Sequence, residues 1–462
     1  MYRYTTVGIC ALIICLGFVT GCPPLPEEPP EPELEAEVTE DVTLKMWTIW
    51  TTEPRRSALD DIVQQFEDQN PGVRVAVTPI EPDTYKTRIR VAIGSGDAPD
   101  IFFVWSGEWL HNFVRGDNVL PITDALDADD GEWRDRIMGD ALRWYTFGDE
   151  TYGIPFLRQC TFFFYNTRMF ERHGVDVPHD ATWEDFVNET IPQLKEADDI
   201  IPIALGNSVK WPAHHYVSAL WQRMIGEDQL IEDFDPLGPG RYDHPGYVRG
   251  LQMFRDLVER DVFNRAPNGT TRENALALFY AERAAMYYTG TWDLNMLREG
   301  GEAPPEFHDA WDWFNFPQVP DGDGTQDALH GGADGYVISS KTAHPEHAIA
   351  FLQHLNSVES AQHFVDRCRE LVLVSGAVTE DNADEHLLRY AEQVEAAPTI
   401  FPWADTLMER SVAEVLLDGC QMLIDGAITP EKIMEDIRAR QQAVKSRLIE
   451  LGGSSLEPEN SE

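Results

Sequence analysis

The chain has 462 residues and a formal net charge of −44, from 80 acidic against 36 basic side chains. Such an imbalance argues against nucleic acid or an anionic membrane surface as a partner, since either would repel it. The length is ample for two separately cored domains.

The N-terminus reads as an address. Arg3 precedes the apolar run Val7–Val19. That run is shorter than the roughly 20 residues a membrane span needs, so it fits a signal-peptide core. The following Val19-Thr20-Gly21-Cys22 resembles a bacterial lipobox, which predicts removal of residues 1–21 and lipid on Cys22. Residues 22–41 are rich in Pro and Glu. They cannot bury apolar surface and are expected to form a stiffened, disordered tether.

After the tether, Val42–Trp50 alternates and is β-rich, predicting a strand. Leu59, Ile62, Val63 and Phe66 recur at helical spacing within Arg56–Asn70, and Pro71-Gly72 stops that helix. Val73–Val77 is a second strand, Tyr85–Ile93 a second helix and Ile101–Val104 a third strand. Strand and helix alternating at this pitch predict parallel pairing in an α/β layer, with ligand sites at strand C-termini. Thr161–Tyr165, Ala284–Tyr288 and Gly335–Ser339 are further strands. Pro245–Arg260, Thr271–Ala285, Pro345–Asn356, Asp405–Ile424 and Pro430–Leu451 carry helical periodicity. Cys160, Cys368 and Cys420 are too far apart for a local metal site and allow at most one disulfide. His214-His215 has no carboxylate or third histidine at suitable local spacing, so no metal is expected there.

Several stretches together resemble extracellular solute-binding protein family 1. They are Leu44–Val77, Ile93–Ile101, Tyr152–Phe156 with Tyr165-Asn166 and Thr182–Phe186, Glu282–Met286 into Gly290-Thr-Trp292, and Gly331–Lys341 followed by Pro345–Leu352. The resemblance implies an α/β, two-lobed periplasmic-binding-protein-like (type II) fold with an interlobe cleft. Residues 42–152 and 318–374 would form the N-terminal lobe, residues 153–317 and 375–452 the C-terminal lobe, and 453–462 a disordered tail. Crossings between lobes are expected near Glu150–Pro155, Phe316–Pro320 and Leu371–Ala377. It further implies a monomeric, lipid-anchored receptor outside the cytoplasmic membrane, without cofactor, handing a sugar or oligosaccharide to an ABC permease.

Sugar recognition needs flat apolar plates for the C–H faces of the rings and in-plane polar groups for the hydroxyls. Thirteen tryptophans are present, several where strands end. Trp292 falls where the resemblance places a stacking tryptophan, and Gly332 where backbone would approach the ligand. By position, Trp50, Glu53, Trp105, Glu108, Trp109, Arg158, Gln159, Trp211, Asp293, Asp334 and Trp403 complete the candidate ligand set, while Trp47, Trp183 and Trp221 read as packing. A polyamine, ferric ion or glycerol phosphate would suit the same fold. A secreted glycoside hydrolase would need two carboxylates about 5–9.5 Å apart, and no nucleophile elbow, zinc-protease or phosphate-loop motif supports an enzyme.

Overall fold

The computed structural model describes residues 41–196 and 200–452. The expected signal peptide, Cys22, nearly all of the tether, and the tail at 453–462 lie outside the described residues.

The first three strands form as the sequence pattern requires. β1 (Val42–Thr48) buries every second residue, and its phase carries on to Trp50. The helix Arg55–Gln69 turns Ala58, Leu59, Ile62, Val63 and Phe66 inward, and β2 (Val73–Pro79) returns parallel to β1. The helix Pro82–Ser95 is capped by the Glu81 carboxylate, which accepts from the Asp83 and Thr84 amides, and it ends at Gly96 with φ 76°. β3 (Ile101–Trp105) then pairs parallel on the other side of β1. Helical crossovers between parallel strands are the expected solution.

Beyond a small hairpin, β4 (Thr146–Phe147) with β5 (Glu150–Thr151), two strands are longer than the sequence pattern predicts. β6 runs from Ile154 to Asn166, buried throughout. Three strands come between it and its long partner: β7 (Ile201–Ala204), β8 (Ala284–Gly290) and β9 (Trp311–Phe314). β10 then spans Leu329–Ile338, and β11 (Ile400–Phe401) is a short edge. The main path of the sheet is β2-β1-β3-β10-β6-β8-β7, with β9 on β6 and β11 on β10. β6 and β10 are antiparallel neighbours, and each belongs to both halves of the sheet. The start of β6 shares its neighbours with β3, whereas Thr161–Tyr165 pairs with β8. The end of β10 pairs with β3, whereas Leu329-His330 pairs with β11.

Two hydrophobic cores hang on these strands. One gathers Leu44, Ile62, Phe102, Phe156 and Phe364, and also takes in Phe279, Phe307 and Trp313. The other is centred on Phe163, whose ring meets Phe186, Tyr216, Tyr288, Phe314 and Phe316. Between the cores both long strands turn polar or lose their side chains: Arg158, Gln159 and Thr161 on β6 stand opposite Ala333, Gly332 and His330 on β10. The register slips between Asp334 and Gly335. A Cβ on Gly335 would sit 2.1 Å from the Ile154 carbonyl oxygen, so only glycine fits that close approach.

At the same level lies a buried polar knot. Arg55 grips Glu370 with two parallel bonds, Nε to Oε1 at 2.7 Å and Nη2 to Oε2 at 2.6 Å. Asn295 donates to Glu370 Oε1 at 2.6 Å, and Gln159 donates to Oε2 at 3.4 Å while accepting from Thr291 at 2.7 Å. The Glu370 side chain is 3% exposed, so its charge depends on these donors.

Cys160, Cys368 and Cys420 are free and buried. Burial pushes the Cys160 thiol up to about 11 despite nearby Arg158, and raises Cys368 and Cys420 as well. The expected helix Asp405–Ile424 is two helices, Ala404–Leu407 and Arg410–Ile424. The break falls at Glu409, whose carboxylate caps the second by accepting from the Ser411 amide at 2.7 Å.

Removing Glu370 should strand the Arg55 guanidinium. Glu370→Ala is expected to cost about 3–5 kcal/mol of folding free energy, whereas replacing both partners at once with apolar side chains (Arg55→Met with Glu370→Leu) should cost much less. Urea unfolding of both variants measures the difference.

Candidate functional site

Three of the expected tryptophans converge from three separate segments. Trp211 is the first residue of the helix Trp211–Ile225. Trp292 lies in the tight turn Thr291–Asp293 that follows β8. Trp403 precedes the helix Ala404–Leu407, just after β11. Trp292 stands edge-on to Trp211, with ring centroids 5.7 Å apart at 78°, and to Trp403 at 5.6 Å and 63°. His215 sits among them, stacked on Trp403 at 5.4 Å and 17°. Trp211 and Trp292 are partly exposed, while Trp403 is buried. The indole N–H groups of Trp292 and Trp403 meet no acceptor among the described residues.

Local backbone makes this clustering possible. The Trp292 ring lies over Gly290, where a Cβ would come within 2.2 Å of it. Gly332 leaves room beside Trp403, whose ring edge would be 3.0 Å from a Cβ there. Asp293 does not face outward: it accepts from Arg272 Nη2 at 2.8 Å and from Thr289 at 2.7 Å. Arg272 in turn covers the Trp211 ring at 5.0 Å. Asp293 thus holds a cation against an aromatic plate.

The facing wall comes from the first half of the chain. Trp105, at the end of β3, meets Trp109 edge-on at 5.2 Å, and Lys86 lies 5.2 Å over its ring. Trp109 is crossed by Arg410 at 5.6 Å, and Gly107 abuts the Thr406 carbonyl. Arg90, Glu108, Trp109 and Asn112 line a small cavity with Asp405, Met408 and Arg410. Glu108 itself is held by Arg115 of its own helix, with Nη1 at 2.9 Å. Surfaces from residues 86–112 and 403–410 therefore meet at one place.

Other expected residues sit elsewhere. Trp50 is a core residue, ringed by Phe156, Tyr336 and Phe364 within 5.7 Å. The alternation of β1 had pointed it inward, alongside Met46 and Thr48. Glu53 is exposed, and the Ser57 hydroxyl first and then its amide, 3.2 Å away, lower its pKa. Gln159 belongs to the polar knot around Glu370. Arg158 is buried, with its guanidinium 3.9 Å from Asp140. Asp334 feels the Arg55 and Glu370 charges of that knot and stands opposite Trp105 across the β3–β10 pair. Burial raises its pKa to about 7 against the pull of Arg55, and Glu370 adds to the rise.

The expectation of no metal ligands at His214-His215 rested on local spacing, and the folded chain alters that premise. Asp405 arrives from the far end of the sequence, its Oδ1 3.1 Å from His214 Nε2. Burial pushes Asp405 up, but the facing His214, with Lys86 nearby, outweighs it and holds the carboxyl below its ordinary value. Burial also drives His215 well below the ordinary histidine value, so its ring is neutral. His330 is neutral for the same reason, and it is taken up by Ser218 at 2.8 Å and Thr161 at 3.3 Å. Among the residues sequence reasoning passed over, Lys86, His215, Arg272 and Asp405 stand at the aromatic cluster. The one available signal was Asp405 standing two residues after Trp403.

Two cores strung on shared strands, with an aromatic cluster beside the place where segments from both halves meet, define a two-lobed ligand receptor. The profile of bacterial extracellular solute-binding proteins matches residues 50–362, more than half of the chain, and the chain belongs to that family. An uncharacterized ABC transporter extracellular-binding protein of Pyrococcus horikoshii is 23% identical over 79% of this chain and 78% of its own length. The multiple sugar-binding protein of Streptococcus mutans is 23% identical over 71% of this chain and 74% of its own. Among solved structures, a chitin oligosaccharide binding protein superposes with a TM-score of 0.79 at 23% identity, covering 88% of this chain and 99% of its own. The type II fold expected from the sequence is thereby the fold of this chain. The family acts outside the cytoplasm and consists of substrate-binding proteins.

Asp334 carries a pH prediction. In the folded chain it keeps its proton up to about pH 7, whereas unfolded it ionises near 3.8. The unfolded state therefore binds fewer protons between these values, and stability falls as pH rises from about 4 to 7. Melting temperatures across that range should fall less in Asp334→Asn than in the wild type.

Proposed function

We infer that this protein captures a sugar or oligosaccharide in the recess lined by Trp211, Trp292 and Trp403, and delivers it to the permease of an ABC importer. The observation that carries the reading is the cluster itself: aromatic plates at mutual angles, two of them partly exposed, with unpartnered indole donors and Arg272 alongside. Pyranose rings present C–H faces to such plates and hydroxyls to such donors. The names of the relatives from Streptococcus mutans and of the chitin oligosaccharide binding protein lend support. Trp105, Trp109 and Gly332 complete the contact surface. A polyamine fits less well, because Arg272 and Lys86 place positive charge beside the plates.

Closure of the two lobes on ligand would bend β6 and β10 where they turn polar. The protein acts as a monomeric receptor without catalytic activity; incubation with oligosaccharides should generate no new reducing ends. It hangs from the membrane by lipid on Cys22, so Cys22→Ser should leave the membrane fraction.

A thermal-shift screen against mono- and oligosaccharides should find a ligand that raises the melting temperature. With that ligand, Trp292→Ala should weaken binding by roughly 2–3 kcal/mol, about a hundredfold, with its melting curve little changed. Calorimetric titration reads the first and thermal melting the second. Intact affinity with a loss of about 3–5 kcal/mol of stability would assign Trp292 to packing.

A further inference from the structure

We propose that His214, His215 and Asp405 form a binding site for a divalent transition-metal cation of the zinc class. One ligand atom from each lies within 4.8 Å of the others. His215 and Asp405 also stand at the aromatic cluster, but the inference does not need the sugar reading and is tested without sugar.

The His214 ring is oriented from behind. Its Nδ1 lies 2.6 Å from the Trp211 carbonyl oxygen, and only a donating N–H satisfies that contact. Such a bond to a backbone carbonyl is how metal-binding histidines are held, and it directs Nε2 to the other side. There Nε2 lies 3.1 Å from Asp405 Oδ1. The contact has the length of a hydrogen bond without its geometry, and Nε2 is left buried and unpartnered, on a side chain with 0% exposure. A buried, unpartnered imidazole nitrogen and a carboxylate oxygen 3.1 Å apart stand as two ligands of one cation would.

His215 supplies the third atom. Its ring is fixed by stacking on Trp403, and neither ring nitrogen makes a hydrogen bond among the described residues. His330 stands nearby but is committed to Ser218 and Thr161. Two imidazole nitrogens and one carboxylate oxygen suit zinc, cobalt or nickel better than calcium or magnesium, which take oxygen ligands. Tetrahedral zinc, bound at about 2.0–2.1 Å, sets its ligands about 3.3 Å apart. The His214–Asp405 pair already has nearly that spacing. Three protein ligands leave one position for a water or an outside oxygen.

The test uses the full chain, stripped with chelator and titrated with zinc by calorimetry and with cobalt by visible absorption, without sugar. One equivalent should bind, and cobalt should give the intense d–d band of a four-coordinate site. Asp405→Asn and His215→Ala should each weaken zinc at least about tenfold. The joint His344→Ala and His347→Ala change removes another histidine pair, 6.1 Å apart, and should leave affinity intact. Zinc binding that is equal in the wild type and Asp405→Asn, or that is lost with His344 and His347, overturns the proposal. Metal-free melting curves establish that the variants fold, and near-isosteric Asp405→Asn decides if His215→Ala does not. Failure here would leave the sugar titrations unaffected.

Discussion

The Glu370 carboxylate constrains the molecule more than any other single group. It is buried, and among the described residues its oxygens accept from Arg55 at the start of one helix, Asn295 beyond β8 and Gln159 on β6. Those donors come from both halves of the chain. Satisfying one charge therefore fixes how the first helix, the long strand and the turn after β8 sit together. The same turn carries Trp292 three residues before Asn295, so the polar knot also positions the edge of the aromatic recess.

The recess inherits its form from this arrangement. β8 delivers Trp292, β11 delivers Trp403 and the helix from Trp211 delivers both Trp211 and His215. None of these rings is held by a local motif. Each is placed by the strand or helix behind it, and the glycines at 290 and 332 clear the space. A rigid scaffold of this kind keeps the plates in position without ligand, which limits the ordering cost of binding.

Much of the architecture was legible from periodicity. The first three strands and their two helices follow from alternation and from i, i+3, i+4 spacing, because each buries one face against a single core. The lengths of β6 and β10 were not legible. Arg158-Gln159 and His330-Gly331-Gly332 break the apolar pattern, and that break marks the passage from one core to the next, not a strand end. Asp405–Ile424 read as one helix because its apolar spacing runs through Glu409, which caps the second helix. Trp50 was misread although its own strand had the right phase: Val42, Leu44, Met46 and Thr48 all point inward. The meeting of Asp405 with His214 could not be read at all, since about 190 residues separate them and only the packing of the helix Ala404–Leu407 closes that distance.

The three free cysteines have a consequence for a protein that works outside the cytoplasm. In an oxidising compartment a thiol is at risk when it is both reachable and ionised. Cys160, Cys368 and Cys420 are neither, because the same burial that excludes oxidant keeps them protonated. Among the described residues, the folded chain thus offers no thiol to disulfide chemistry. Unfolding releases all three thiols together, and cross-linking can then trap the chain before it refolds. How long the receptor lasts in such a compartment is thereby set by how rarely it opens.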